Sequence, residues 1–247
     1  MKTKLSLLLF ILMLGMQPVF SQGETYTLGQ FNDIIVSPHI AVEFHQGDKN
    51  KIEVLSLTKG NEKKLNVDVK NKTLHLYLDD ARITTKSEKY KNNSYKKPIY
   101  SGTVATLKVT YTKLNSCEIR GEQAHEFVSA INQKEFKLSI FGEASVTMNE
   151  VVLNDFRVSI YGESELHMGR GSIENQKFTA YGESKIFANK INNDTTKLTI
   201  YGEGEYNLHV NETLTLTSFG EAVINYSGNG TLNQKIIIGE TTINKKS

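Results

Sequence analysis

Four heptads decide how this chain folds: KLSIFGE at 137–143, RVSIYGE at 157–163, KFTAYGE at 177–183 and KLTIYGE at 197–203, each starting 20 residues after the last. A degenerate copy, TLTSFGE at 215–221, starts 18 residues later, and shorter remnants flank the set, CEIRGE at 117–122 and IIIGE at 236–240. Self-similarity at a fixed period near 20 residues marks a solenoid, in which a repeat buries its apolar face only by stacking on its neighbours. Within a copy the apolar residues alternate: Leu138 and Ile140, then Val146 and Met148 beyond the Gly-Glu pair, with Val158, Ile160, Leu166 and Met168 in the same slots one period on. Period two is a strand pattern, and no i, i+3, i+4 stripe survives in copies rich in Ser, Thr and β-branched residues. The glycine before each glutamate suits a sharp corner, where a positive φ is cheap only without a Cβ. The expected fold is all-β, a parallel β-solenoid (β-helix) over 113–247. Its coils have about 20 residues, each strand, corner, strand and return loop, and stack about 4.8 Å apart.

Stacked coils turn equivalent residues into columns. Inward go Leu138, Val158, Phe178, Leu198 and Leu216, then Ile140, Ile160, Ala180 and Ile200, all as core. Outward on the same strand go a basic column (Lys137, Arg157, Lys177, Lys197), a hydroxyl column (Ser139, Ser159, Thr179, Thr199, Thr217) and, just before the corner, an aromatic column (Phe141, Tyr161, Tyr181, Tyr201, Phe219). The basic and aromatic columns lie four residues apart, about 13 Å of strand. An exposed aromatic column has two readings. Rings at coil spacing stabilise one another by about 0.5–1.5 kcal/mol per pair, or they form a platform for sugar rings or another chain's apolar surface. On the second reading the basic and aromatic columns are the candidate ligand-binding residues.

The glutamates after the glycines, Glu122, Glu143, Glu163, Glu183, Glu203, Glu221 and Glu240, form a column of like charge that costs roughly 1 kcal/mol per neighbouring pair in water. Splaying at a solvated corner, or bonds to the corner amides, offsets this; a bridging divalent cation is the sharper alternative. The aspartate-glycine nonapeptides of calcium-loaded β-rolls are absent, so the expectation is no metal, and no other cofactor.

At the amino end, Lys2 and Lys4 precede an apolar run from Leu5 to Met16, with Val19-Phe20-Ser21 at a cleavage position. Residues 1–21 read as a secretory signal peptide, too short for a stop-transfer helix, and no cysteine near the cut supports a lipid anchor. The expected product is exported through the Sec route and is periplasmic, outer-surface or secreted, not integral to a membrane. Of 29 Lys and Arg the leader holds two, which leaves 27 against 27 Asp and Glu. Near-neutrality and export both disfavour nucleic-acid binding. The single cysteine, Cys117, falls in an inward slot and reads as a small buried apolar residue rather than a reactive thiol.

Residues 24–112 form a less regular β half. Strands are expected at 33–37, 40–46, 51–57, 64–70 and 73–78, separated by turn signals such as Ser37-Pro38 and Lys59-Gly60-Asn61. Atypical ends are normal for solenoids, and one continuous body is the favoured arrangement. From 81 to 102 the pattern breaks: Arg82, Lys86, Lys89, Lys91, Lys96 and Lys97 face one acid, Glu88, with Tyr90, Tyr95 and Tyr100 interleaved. This reads as a solvated loop or hairpin tip, or as a basic-aromatic arm for anionic glycan or lipopolysaccharide. Strand resumes over 103–112.

Chemistry on a solenoid belongs where the repeat breaks, since a residue present in every coil marks no single site. The breaks are Arg120, His125 and Glu126, with His167 and His209 on the second strand. Spacing alone does not make an acid-base pair, and no nucleophile elbow, phosphate loop or zinc spacing occurs. No catalytic residue is assigned.

The leader, the opening FNDIIVSPHIAVEFHQGDKNKIEV (31–54) and the ladder of Gly-centred turns ending in VINYSGNG (223–230) together resemble the putative auto-transporter adhesin, head GIN domain family, a domain of unknown function. The resemblance covers roughly 31–227 and implies a pectin-lyase-type β-helix without the enzymes' catalytic residues and a role in cell adhesion. The turns here read Gly-Glu where the family's usually read Gly-Ser. Three readings follow: a secreted or cell-surface, non-enzymatic scaffold for a glycan or another surface polymer; a polysaccharide lyase or hydrolase, for which the fold alone is no argument; and a structural protein that self-associates through the solenoid's open ends.

Overall fold

The computed structural model describes residues 23–89 and 96–246. The leader expected at 1–21, and Tyr90, Lys91 and Tyr95 of the arm, lie outside them. Every element described is a strand, and the parallel solenoid is the fold. Successive copies pair without a shift through the four regular heptads: Lys137, Arg157, Lys177 and Lys197 are consecutive partners, as are Phe141, Tyr161, Tyr181, Tyr201 and Phe219. Alternation then sorts the faces. Both inward columns are buried, and where the degenerate copy places Ser218 inward, its hydroxyl is met by the Thr241 hydroxyl at 2.9 Å.

The return between coils is strand and not the loop expected. Val151, Val152 and Leu153 pair with Gly171, Ser172 and Ile173, and Asp155 with Asn175, so the strands Ser145–Gly162 and Glu165–Ala188 run through a second side, a return and the next first side. Polar residues on this side serve the interior. Asn193 is fully buried; its amide donates to the carbonyls of Ile173 (3.0 Å) and Thr195 (3.1 Å), and its oxygen accepts from the Thr196 hydroxyl (2.5 Å). A buried amide saturated in this way closes the bend without leaving backbone groups unpaired.

All seven Gly-Glu glycines have positive φ, between 98° and 138°. Close approach adds to the requirement: a Cβ on Gly162, at φ 117°, would lie 2.3 Å from the Gly142 carbonyl oxygen. The following glutamates point to solvent, and their amides continue the ladder, with Glu143 and Glu163 donating to the carbonyls of Gly121 and Gly142 at 2.9 Å.

The amino-terminal half continues the stack in an order the sequence does not follow. Strands Asp33–Val36 and Ile40–Gln46 flank the corner Ser37-Pro38-His39 and pair, parallel, with Ser116–Gly121 and Ala124–Phe127. His39 takes the positive φ, 70°, in place of a glycine. Beneath them lies one more layer, made of Thr73–Leu78 under Asp33–Val36 and Ala105–Tyr111 under Ile40–Gln46. Antiparallel strands Leu65–Lys70 and Lys51–Leu57 cover this layer's outer edge, with Thr25–Thr27 beyond the latter. An antiparallel cover ends parallel stacking on that side.

The basic arm therefore has a defined place. It joins Leu78 to Ala105 and is the corner of that last layer, drawn out into a hairpin whose described rungs are Ser87–Lys89 and Lys96–Pro98. It leaves the body on the edge where the Gly-Glu corners stack.

Corner geometry predicts a sharp contrast in stability. Gly162→Ala should cost about 2–4 kcal/mol, from backbone strain and displacement of the neighbouring carbonyl. Glu163→Ala, on the solvated side, should stay within about 0.5 kcal/mol of the parent. Urea unfolding of both variants checks this, and equal midpoints would contradict it.

Candidate binding face and cleft

The aromatic column is a continuous stack. Ring centroids are 4.9 Å apart from Phe141 to Tyr161, 4.8 Å to Tyr181, 4.9 Å to Tyr201 and 5.2 Å to Phe219, with planes within 5° of parallel. Each ring's faces meet its neighbours, so the surface along the column is made of ring edges and phenol hydroxyls. The tyrosines are about two-fifths exposed. Both readings of the column thus bear on it: the rings stabilise one another, and what they leave outward is an edge, not a flat platform. Lys137, Arg157, Lys177 and Lys197 are exposed beside them and make no ion pair among the described residues.

The arm crosses this column one coil before the first ring. At the column position before Phe141 stands Arg120. Its guanidinium bends back along its own strand to Glu118, with Nε at 2.6 Å from Oε1, while Nη1 donates to the Arg82 carbonyl at 3.2 Å. One coil further down, the buried Ser37 hydroxyl donates to the same carbonyl at 2.6 Å. His39 fixes the arm's two roots: Nδ1–H donates to the Gly102 carbonyl at 2.7 Å, which leaves Nε2 to accept from the Thr85 hydroxyl at 2.6 Å. Tyr100, buried, donates to the Asp79 carbonyl at 3.0 Å. Between arm and solenoid these contacts leave a cleft of about 750 Å³, ending against Phe141. The arm's described root thus neither covers the rings nor stands away from the body. Sequence reasoning missed the cleft, because only the layer order shows that the arm is a corner.

Arg120, His125 and Glu126 do not converge. Arg120 is paired outward, Glu126 accepts from the Asn149 amide at 2.8 Å on the outer surface, and His125 points into the core at 3% exposure. His125 lies between Val42 and Val146 in its column, 6.4 Å from the Phe44 ring, and neither ring nitrogen has a partner. Burial pushes its pKa down to about 3. On the second strand His167 stacks on Phe187 (4.6 Å) and pairs with Glu165, while His209 bonds the Ser227 hydroxyl at 2.9 Å. Cys117 is buried, and burial raises its thiol pKa well above the ordinary range. No group of three or more His, Cys, Asp or Glu able to hold a metal ion occurs among the described residues, nor any helix long and apolar enough to cross a membrane.

Residues 30–230 match the family described as putative auto-transporter adhesin, head GIN domain. Several solved structures have the same fold. A putative adhesin from Bacteroides fragilis is 19% identical with a TM-score of 0.71, covering 90% of this chain and 95% of that one. A putative adhesin from Parabacteroides merdae is 18% identical at TM-score 0.65, covering 91% and 95%. A putative lipid binding protein from Parabacteroides distasonis is 17% identical at 0.66, covering 91% and 96%. No curated protein matches the chain. At such identities the structures establish the fold alone.

His125 makes stability depend on pH in a stated direction. Its folded pKa, about 3, lies below the ordinary 6.5, so between those values the unfolded chain binds a proton that the folded chain refuses. Stability should therefore fall as pH drops from 6.5 toward 3, by about 1.4 kcal/mol per unit from this residue. His125→Val, matching Val42 and Val146 on either side, should remove that slope and be more stable than the parent. Urea unfolding of both at pH 7, 5.5 and 4.5 reads the difference; parallel pH profiles would show that His125 is protonated or solvated in the fold.

Proposed function

Because the chain belongs to the putative auto-transporter adhesin, head GIN domain family, we propose that it is an exported, non-enzymatic binding scaffold for a surface glycan or a similarly polar polymer, engaged along its basic, hydroxyl and aromatic columns. The observation that carries this reading is the spacing of unused polar groups. Three phenol hydroxyls, of Tyr161, Tyr181 and Tyr201, recur at one per coil and have no intramolecular hydrogen bond among the described residues. About 13 Å away along the strands run four basic side chains without ion pairs. A polymer that repeats near the coil spacing meets the same donors at every step. Ring edges with outward hydroxyls bind by hydrogen bonding, and exposed cations add attraction that salt screens.

Absence of turnover is part of the proposal. It rests on the divergence of Arg120, His125 and Glu126, and on columns in which each group recurs. Export rests on the reading of residues 1–21.

A panel of bacterial and host polysaccharides, scored for retention and for released reducing ends or unsaturated products, tests the reading. Retention without product is expected. Replacing Tyr161, Tyr181 and Tyr201 together by Phe keeps every ring, so melting should not change, while the loss of three hydroxyls should weaken retention about tenfold or more. Replacing Lys137, Arg157, Lys177 and Lys197 by Gln should remove the salt dependence of binding. Product release from any polymer, or unchanged retention by both variants, would overturn the proposal.

A further inference from the structure

The ring stack ends at Phe141 on the side of the arm, where Phe141 lines the cleft. Phe141 is covered by Tyr161 on one side, and on the other the place of a further ring belongs to Arg120, whose guanidinium is drawn aside to Glu118 and the Arg82 carbonyl. That step opens into the cleft of about 750 Å³, whose apolar lining is Phe141, Pro38, Ile83, Pro98 and Tyr100. Ile83 is 66% exposed, more than any other large apolar side chain among the described residues. The volume lies within the range of small-molecule sites, about 300–1,000 Å³. The walls are preformed, since His39, Ser37 and Tyr100 anchor both roots of the arm, which lowers the ordering cost of binding.

Around this apolar floor sit a few polar groups with capacity to spare. Thr84, Ser101 and Glu122 line the cleft, and their side chains make no hydrogen bond among the described residues. Arg120 and Glu118 present a planar donor-acceptor pair beside them. Two carboxylates against one guanidinium leave the cleft with a formal charge of −1.

We infer that the cleft is a terminal-sugar site, which takes one neutral pyranose ring of a glycan with an apolar C–H face on Phe141 and its hydroxyls toward Thr84, Ser101, Glu122 and the Arg120–Glu118 pair. The inference rests on the scaffold reading above and gives it an end point: the column carries the chain, and the cleft reads its last ring. A pyranose has what the cleft is built for, one C–H face and a rim of hydroxyls. A flat arene would extend the stack but would expel water from the polar rim without replacing its hydrogen bonds. An acidic sugar would meet the excess carboxylate.

Titration of the full chain with methyl glucoside, galactoside, mannoside and N-acetylglucosaminide, read by amide NMR shifts, tests the site. Methyl glucuronide and 1-naphthol are run beside them. At least one neutral pyranoside should give saturable shifts at 83–85, 121–122 and 141–142, about tenfold tighter than the glucuronide. Phe141→Leu should weaken it about tenfold. Phe187→Leu, which removes a ring stacked on His167 outside the three columns, should leave it unchanged, so a general loss of stability is told apart from a loss of the sugar's floor. The inference is overturned if no neutral pyranoside shifts those amides, if naphthol binds more tightly than every sugar, or if the two variants behave alike. Polymer retention by a chain whose cleft takes no sugar would remove this site and leave the scaffold reading standing. Sugar binding in the cleft without polymer retention would support the site and overturn the role of the columns.

Discussion

At each Gly-Glu corner from Gly142 to Gly239, the backbone carbonyl oxygen of the preceding corner's glycine occupies the space where a Cβ would sit. The separation would be 2.3 Å at Gly162 and 2.1 Å at Gly220, far inside van der Waals contact, so only glycine fits at these stacked corners. The positive φ that the turn requires selects the same residue for a second reason. Corner on corner pins the register, and pinned register is what makes every other feature repeat in space as it repeats in sequence. A slip by one residue would turn Leu138, Val158 and Leu198 to solvent and their lysine and arginine neighbours inward.

Columns follow from that register, and they constrain chemistry. A residue type written into every copy becomes a surface stripe, and a residue that interrupts the copies marks a place. The aromatic stripe shows the consequence most clearly. Because its rings stand one coil spacing apart, they satisfy one another's faces and offer only edges along the column. Only at the ends does the stack stop, and at one end the arm, an overgrown corner, forms a cleft against it. Arg120 is the interruption that makes room there, held aside by its bond to Glu118.

Much of this was legible in the sequence. Period-two alternation in gap-free repeats identified the strands, the inward columns, the corners and the stacked rings, because in a parallel solenoid local pattern and tertiary contact coincide. The misses have physical causes. The return side, rich in Asn, Asp and Glu, has the composition of a loop, yet Asn193 is buried and turned to closing the bend. The layer order of the amino-terminal half escapes because Thr73–Leu78 and Ala105–Tyr111 join one layer across the whole arm, and their own sequences carry no Gly-Glu mark. His125 stands out in the sequence only as a break in the repeat; alternation from the buried Phe127 puts it inside. The sequence leaves both readings of the column open, mutual stacking and a platform, because spacing shows that rings are near one another but not how their faces are used.

The register itself can be measured directly. Spin labels on cysteines introduced at Lys137 and Asn233, with the buried Cys117 left unlabelled, sit in one column five coils apart. Pulsed dipolar spectroscopy should give a single narrow distribution, consistent with a backbone separation of about 24 Å, five steps of about 4.8 Å. A broad distribution, or one centred well beyond that length after allowing for the label arms, would contradict a straight column, and with it the face and cleft that the column builds.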